Sequence, residues 1–326
     1  MIFSREIGID LGTSTTRLTD KKGHILISEP SVVAVDVKTK QVLATGNEAK
    51  KMIGRTPGSI VPIMPIRGGV IADFDMTADM LHNFMYRSSK RGMFTKTGVV
   101  ISVPSGVTEV ERRAVEDAVR AAGAQDVELI EAPMAAALGA GLPVYEATGS
   151  MIIDFGGGTC DIAVVTLGRV ASCRSVKIGG DSLNEAILDY LKKEHGILVG
   201  EKTAEDIKLK IGSASEYDGE AAMEIKGRKL EDGLPGSAEI TSADIREVIN
   251  TQLDEIITAI RETLEVTLPD LSADILDRGI YLTGGGARLR GIKEKLEREI
   301  LIPIIIPENP ENCVALGTSQ RLRKGR

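Results

Sequence analysis

Two stretches of this chain place an aspartate inside an apolar run just before a glycine turn. They are Ile7-Gly8-Ile9-Asp10-Leu11-Gly12-Thr13 and Ile152-Ile153-Asp154-Phe155-Gly156-Gly157-Gly158-Thr159. A carboxylate within a buried strand is costly unless something compensates it. Glycine lets backbone N–H groups close on an anion with no Cβ in the way. Each stretch reads as strand, Asp, glycine turn, hydroxyl residue and second strand. One such hairpin alone reads as a tight turn with a capping aspartate. Two of them, roughly half a chain apart, imply a duplicated architecture with a polyphosphate between the copies and Thr13, Ser14 and Thr159 as hydroxyl donors. Two carboxylates would repel that phosphate. A hydrated Mg2+ removes the conflict, because Mg2+ keeps its waters and accepts carboxylates through them. The expected metal residues are therefore Asp10 and Asp154, acting through water.

A third glycine run supplies a second end to the ligand. Ile280-Tyr281-Leu282-Thr283-Gly284-Gly285-Gly286-Ala287 is a strand feeding a glycine turn, with a helix expected to begin near Arg288. A helix N-terminus beside such a turn can hold polar ligand atoms, although a strand-to-helix connection needing positive φ would look the same. The chain contains no G-x-x-x-x-G-K-[ST], so it is not a P-loop protein. No G-x-G-x-x-G joins a first strand to a helix, so a dinucleotide fold is unsupported.

The elements that must position these turns alternate between strand and helix signals. Strands are expected at Ile7–Leu11, Val32–Val37, Gln41–Ala44, Val99–Val103 and Glu128–Glu131, in a β-rich block over Met151–Ile178, and at Ile280–Leu282 and Ile302–Ile306. Helices are expected over Asp75–Arg91, from the capping box Thr108-Glu109-Val110-Glu111 to Gly123, and over the Ala-rich Met134–Gly139. Further helices are expected near Ser182–His195, Thr203–Ile211, Ala243–Thr267 and Val314–Arg323. The proline- and glycine-dense stretch Gly54–Gly69 reads as an irregular crossing. The whole is α/β with mixed sheets.

Composition narrows the function classes. Hydrophobic residues at 42% and charged residues at 27% suit a soluble globular protein. The net charge of −7 argues against a general nucleic-acid binder. Cys160, Cys173 and Cys313 are odd in number and widely spaced, which argues against a disulfide framework or zinc site. No run spans a bilayer and the first residues lead straight into a strand, so a cytoplasmic location is expected.

In this order, the three glycine elements resemble the phosphate-1, phosphate-2 and adenosine motifs of the actin, Hsp70 and sugar-kinase superfamily. Within that superfamily the chain resembles the MreB family from end to end, through Ile7–Thr13, Asn47–Pro57, Gly69-Val70-Ile71-Ala72-Asp73, Pro133–Gly141, Ile178–Asp181, Gly200–Lys208 and Leu271–Leu282. The resemblance implies an actin-like fold of two similar halves in four subdomains, with ATP in the central cleft. Domain I would be residues 1–145 plus a C-terminal helix over 310–326, with a small subdomain at about 31–68. Domain II would be 146–309, with a small subdomain at about 182–243. The implied nucleotide-binding residues are Gly12, Thr13, Ser14, Gly156, Gly157, Gly158, Thr159, Gly180, Asp181, Glu205, Lys208, Gly284, Gly285, Gly286 and Ala287. Glu205 and Lys208 stand one helical turn apart, on one face.

The resemblance also implies where hydrolysis departs. The family usually carries two acidic residues before the proline that opens the Ala-rich helix, whereas this chain has Leu129-Ile130-Glu131-Ala132-Pro133. The water-orienting carboxylate aligns with Ala132 or, one residue earlier, with Glu131. The expected catalytic residues are Glu131 and Thr159, with ATP bound and hydrolysis slow or impaired. Paired protofilaments, an anionic membrane surface on the inner face of the cell, and cell-envelope synthesis machinery are the implied partners. The membrane tip would be Met93 and Phe94, flanked by Arg87, Lys90, Arg91 and Lys96. Two rivals share the cleft. A small-molecule kinase would need a substrate pocket with a catalytic Asp, and an Hsp70-type chaperone would need a peptide-binding domain after the adenosine motif.

Overall fold

The computed structural model describes residues 5–54, 58–88 and 97–324. Met93 and Phe94 lie outside the described residues. Two five-stranded sheets dominate. The first contains β1 (Arg5–Leu11), β2 (Thr15–Asp20), β3 (Ile25–Pro30), β4 (Thr97–Val103) and β5 (Asp126–Glu131). The second contains β6 (Ser150–Phe155), β7 (Cys160–Thr166), β8 (Arg169–Val176), β9 (Ile280–Thr283) and β10 (Ile304–Ile305). Their orders are β5-β4-β1-β2-β3 and β8-β7-β6-β9-β10. In each, the aspartate-bearing strand pairs antiparallel with its hairpin partner on one side and parallel with a later strand on the other. The sequence echo is thus a structural duplication.

Both central strands are covered on two faces, which explains their nearly continuous apolar runs. Ile7, Ile9, Met151, Ile152 and Ile153 are fully buried. The helix α1 (Ala132–Gly139) packs closely on α5 (Cys313–Lys324), and α5 also lies against β1 and β4. Small residues permit this approach. A Cβ added to Gly139 would stand 1.8 Å from the Cys313 carbonyl oxygen, and one on Gly317 would stand 1.8 Å from that of Ala135. The second sheet packs against α2 (Gly180–Glu194), α3 (Glu201–Ile211) and α4 (Ser242–Glu265) through one contiguous core that includes Leu183, Ile207, Ile249 and Leu253.

The capping box forms as expected: Glu111 N–H donates to Thr108 Oγ1, and Thr108 N–H donates to Glu111 Oε2. Two expectations are corrected and one hairpin is added. Gly54–Gly69 is not wholly irregular, because Ile60–Ile63 pairs antiparallel with Val33–Asp36. It is an edge strand, where Pro62 can lack an N–H without breaking a ladder. No α-helix follows the third glycine run at Arg288. A 3-10 turn occupies Gly285–Arg288, and the α-helix starts at Ile292 after the left-handed Gly291. The hairpin Ala222–Lys229 with Pro235–Thr241 was also missed, since its strands are largely exposed and rich in charge.

Candidate nucleotide cleft

The two glycine hairpins meet tip to tip. In β1–β2, Asp10 stands opposite Arg17, and in β6–β7, Asp154 stands opposite Asp161. The turns between them touch. A Cβ on Gly157 would come within 2.0 Å of Ser14 Oγ, and one on Gly158 within 2.4 Å of Thr13 Oγ1. Thr13 Oγ1 also accepts from Gly69 N–H at 2.9 Å. The start of α2 closes over the second hairpin: Gly180 N–H and Asp181 N–H donate to the carbonyls of Gly156 and Gly157 at 3.1 and 2.8 Å. Ser14 Oγ reaches across to the Asp181 carboxylate at 3.0 Å.

A cavity of about 380 Å³ opens above these contacts. Of the residues singled out by sequence, it is lined by Asp10, Gly12, Thr13, Ser14, Asp154, Gly156, Gly157, Gly158, Thr159, Gly180, Asp181, Glu205, Lys208, Gly284, Gly285 and Gly286. Ala287 is buried behind its turn and does not line it. Gly284 takes φ +81, and a Cβ there would meet the Phe155 carbonyl at 2.3 Å, so that turn needs glycine twice over. Lys208 Nζ donates to the Gly180 carbonyl at 2.7 Å, while Glu205 pairs with Lys50 at 3.6 Å from across the cleft.

Ala132 lines the cavity at the first turn of α1, whereas Glu131 does not. Glu131 pairs instead with Arg112 at 3.6 Å. Thr159 Oγ1 donates to Asp161 Oδ2 at 3.3 Å. Sequence reading missed Arg17, Ser102, Asp161, Asn184, Arg290 and Glu311, which also line the cavity. Arg17 and Asp161 had a legible signal: counting outward from each glycine turn pairs them with the two aspartates. Ser102 and Glu311 come from other elements and had none.

The floor of the cleft is strongly acidic and buried. Burial, then the charges of Asp10 and Asp161, push the Asp154 carboxyl up to about 7. Burial is also the main cause raising Asp161 to about 6 and Asp10 above its ordinary range. Thr283 Oγ1 donates toward Asp154 Oδ1 at 3.1 Å. Such crowding of like charges fits a divalent cation. Among the described residues no group of three or more His, Cys, Asp or Glu forms a direct metal cage. The donor set therefore suits an ion that keeps its water, with Asp10 and Asp154 as the residues that would hold it. Three buried polar atoms of the lining have no protein partner: Arg17 Nε, Asp161 Oδ1 and Asn184 Oδ1. A polar ligand would satisfy them.

The MreB/Mbl protein family model matches residues 4–326. This chain belongs to the MreB/Mbl family. It is 42% identical to the cell shape-determining protein Mbl of Bacillus subtilis, over 98% of this chain and 96% of that protein. It is 46% identical to the cell shape-determining protein MreB of Escherichia coli, over 98% and 94% of the two chains. Among solved structures, MreB5 of Spiroplasma citri bound to AMPPNP superposes with a TM-score of 0.93 at 36% identity, covering 98% of this chain and 97% of that one. The MamK double helical filament subunit, at 19% identity and a TM-score of 0.84, shares the fold. The fold is actin-like, as the resemblance implied.

Proposed function

We propose that this MreB/Mbl-family chain binds ATP with hydrated Mg2+ in the cleft and polymerises into filaments that organise cell shape. The observation that carries the reading is the pair of facing hairpins. They bring glycine turns, hydroxyl residues, crowded carboxylates and unpartnered polar atoms to one cavity. The MreB5 structures bound to AMPPNP and to ADP support a nucleotide there. The MamK filament supports self-association, and the names of the MreB and Mbl relatives support the cell-shape role. Mg2+ would neutralise phosphate charge against Asp10 and Asp154. The halves 1–145 with 310–326, and 146–309, are the two bodies whose angle the nucleotide would set, and paired protofilaments the assembly it would favour. Hydrolysis is slow in this reading, because Ala132 presents only a methyl group where water would have to be oriented, and Glu131 is held by Arg112.

The test is light scattering with and without Mg·ATP over a concentration series. A filament former gains signal above a threshold concentration when nucleotide is added. A concentration-independent trace, with phosphate passed to a small molecule, would favour the kinase reading instead.

The filament would lie on the inner face of the cell membrane, beside the envelope-synthesis machinery. Among the described residues no helix is long and apolar enough to cross a membrane. Contact would come from Met93 and Phe94, two side chains worth about 1.5–3 kcal/mol each when fully buried. Binding would thus be weak per subunit and strong for a polymer. Co-sedimentation with anionic liposomes should fall sharply for the double variant Met93→Ser, Phe94→Ser. Unchanged sedimentation would remove these two residues from the reading.

A further inference from the structure

Among the described residues four cations line the cavity, and three of them have partners elsewhere. Lys208 Nζ donates to the Gly180 carbonyl at 2.7 Å. The Arg288 guanidinium holds Glu311 and the Glu308 carbonyl. Arg290 lies over the Tyr217 ring at 4.1 Å. Arg17 is different. It sits on β2, in register with Asp10 on β1, on the same hairpin that carries the Gly12–Ser14 turn. Its Nη1 lies 3.5 Å from Asp10 Oδ2, long for an ion pair, with both side chains largely buried. Its Nε is buried without a partner.

A guanidinium carries five N–H donors in a planar fork that suits carboxylate or phosphate two bonds at a time. A pure counter-ion for Asp10 would be expected to use that fork on Asp10. Here the guanidinium does not close tightly on Asp10, and its Nε is buried with no acceptor, where an unmade hydrogen bond is costly. Phosphate oxygens held at the Gly12–Ser14 turn are the acceptors within the same hairpin that could take it. We propose that Arg17 is a direct phosphate ligand, and that it lets this chain hold a nucleoside diphosphate even when no divalent cation is present. The inference rests on the nucleotide reading of the cleft and adds a residue and a property to it.

The experiment is equilibrium binding of ADP, in Mg2+ and in excess EDTA, to the parent chain, Arg17→Gln, Arg17→Lys and the double variant Asp10→Asn, Arg17→Gln. The parent should lose only about tenfold in affinity on metal removal. Arg17→Gln should lose a further ~10–100-fold in EDTA, the scale of a charge-assisted pair, and much less in Mg2+. Arg17→Lys should fall between them. The double variant separates ligand from counter-ion. If Arg17 binds phosphate, EDTA binding stays lost when Asp10 is neutralised too. If Arg17 only screens Asp10, it returns to the parent value and the proposal is overturned. Should Arg17→Gln fail to fold by circular dichroism, the parent and the lysine variant still decide. A parent that loses all detectable ADP in EDTA, or a lysine variant indistinguishable from it, overturns the proposal. A parent that binds no ADP even with Mg2+ present would instead sink the nucleotide reading itself.

Discussion

At the scale of single residues, Ala132 and Asp154 carry the sharpest consequences. Ala132 lines the cavity at the opening turn of α1, and the adjacent Glu131 turns to Arg112. A carboxylate that polarises water is typically worth about 10²–10⁴-fold in rate. Ala132→Glu should therefore raise phosphate release from Mg·ATP by roughly that range, measured at polymerising concentration. Equal rates for both proteins would mean another group already orients the water. Asp154 makes a pH prediction. Its carboxyl is raised from 3.8 to about 7 in the folded, metal-free protein, first by burial and then by Asp10 and Asp161. Between those two values the folded state holds a proton that the unfolded chain has released. The stability linked to that proton is present at low pH and is lost as pH rises through about 7. In EDTA without nucleotide, Asp154→Asn should thus gain melting temperature relative to the parent as pH rises from 4 to 7, then level off. A difference that stays flat across this window would show that the carboxyl titrates normally.

At the scale of elements, the packing of α1 on α5 ties the end of the chain to the cleft. α1 begins at Ala132, in the cavity wall, and its far end abuts Gly317 and the Cys313 carbonyl. Both approaches are to backbone, which cannot rotate away. Gly317→Ala should cost on the order of 1–3 kcal/mol or more through overpacking, read as a fall in the denaturation midpoint. Weaker nucleotide binding should accompany it, because α1 would shift. The Ala-rich composition of Met134–Gly139 predicted a helix. That its smallness serves a close helix crossing depends on a partner almost two hundred residues later, and no local pattern carries that.

At the scale of the molecule, the two halves meet at the hairpin tips and again at the mouth of the cleft. There, Lys50 in the helix Gly46–Met52 pairs with Glu205 on α3. Both side chains are about half exposed, so the pair is worth at most about 1 kcal/mol to stability. Its effect should be kinetic. Lys50→Ala should leave the melting temperature unchanged and speed ADP release by roughly two- to fivefold, the scale of an exposed pair. Stopped-flow displacement of a fluorescent ADP analogue reads this directly. No change in the release rate would mean the clasp is not closed in the bound state.

The sequence by itself determined the aspartate–glycine hairpins, their duplication and the third glycine turn, because backbone approach to an anion admits few residue types. It also determined the strands around them, since buried central strands must be apolar throughout. Tertiary structure alone decided which way Glu131 points, which residues of the third turn line the cavity, and how Ser102 and Glu311 reach it. These depend on contacts between residues far apart in the chain. It alone showed that Arg17 keeps an N–H in reserve. Whether a buried donor is satisfied is a property of every atom around it, and spacing along a strand does not contain it.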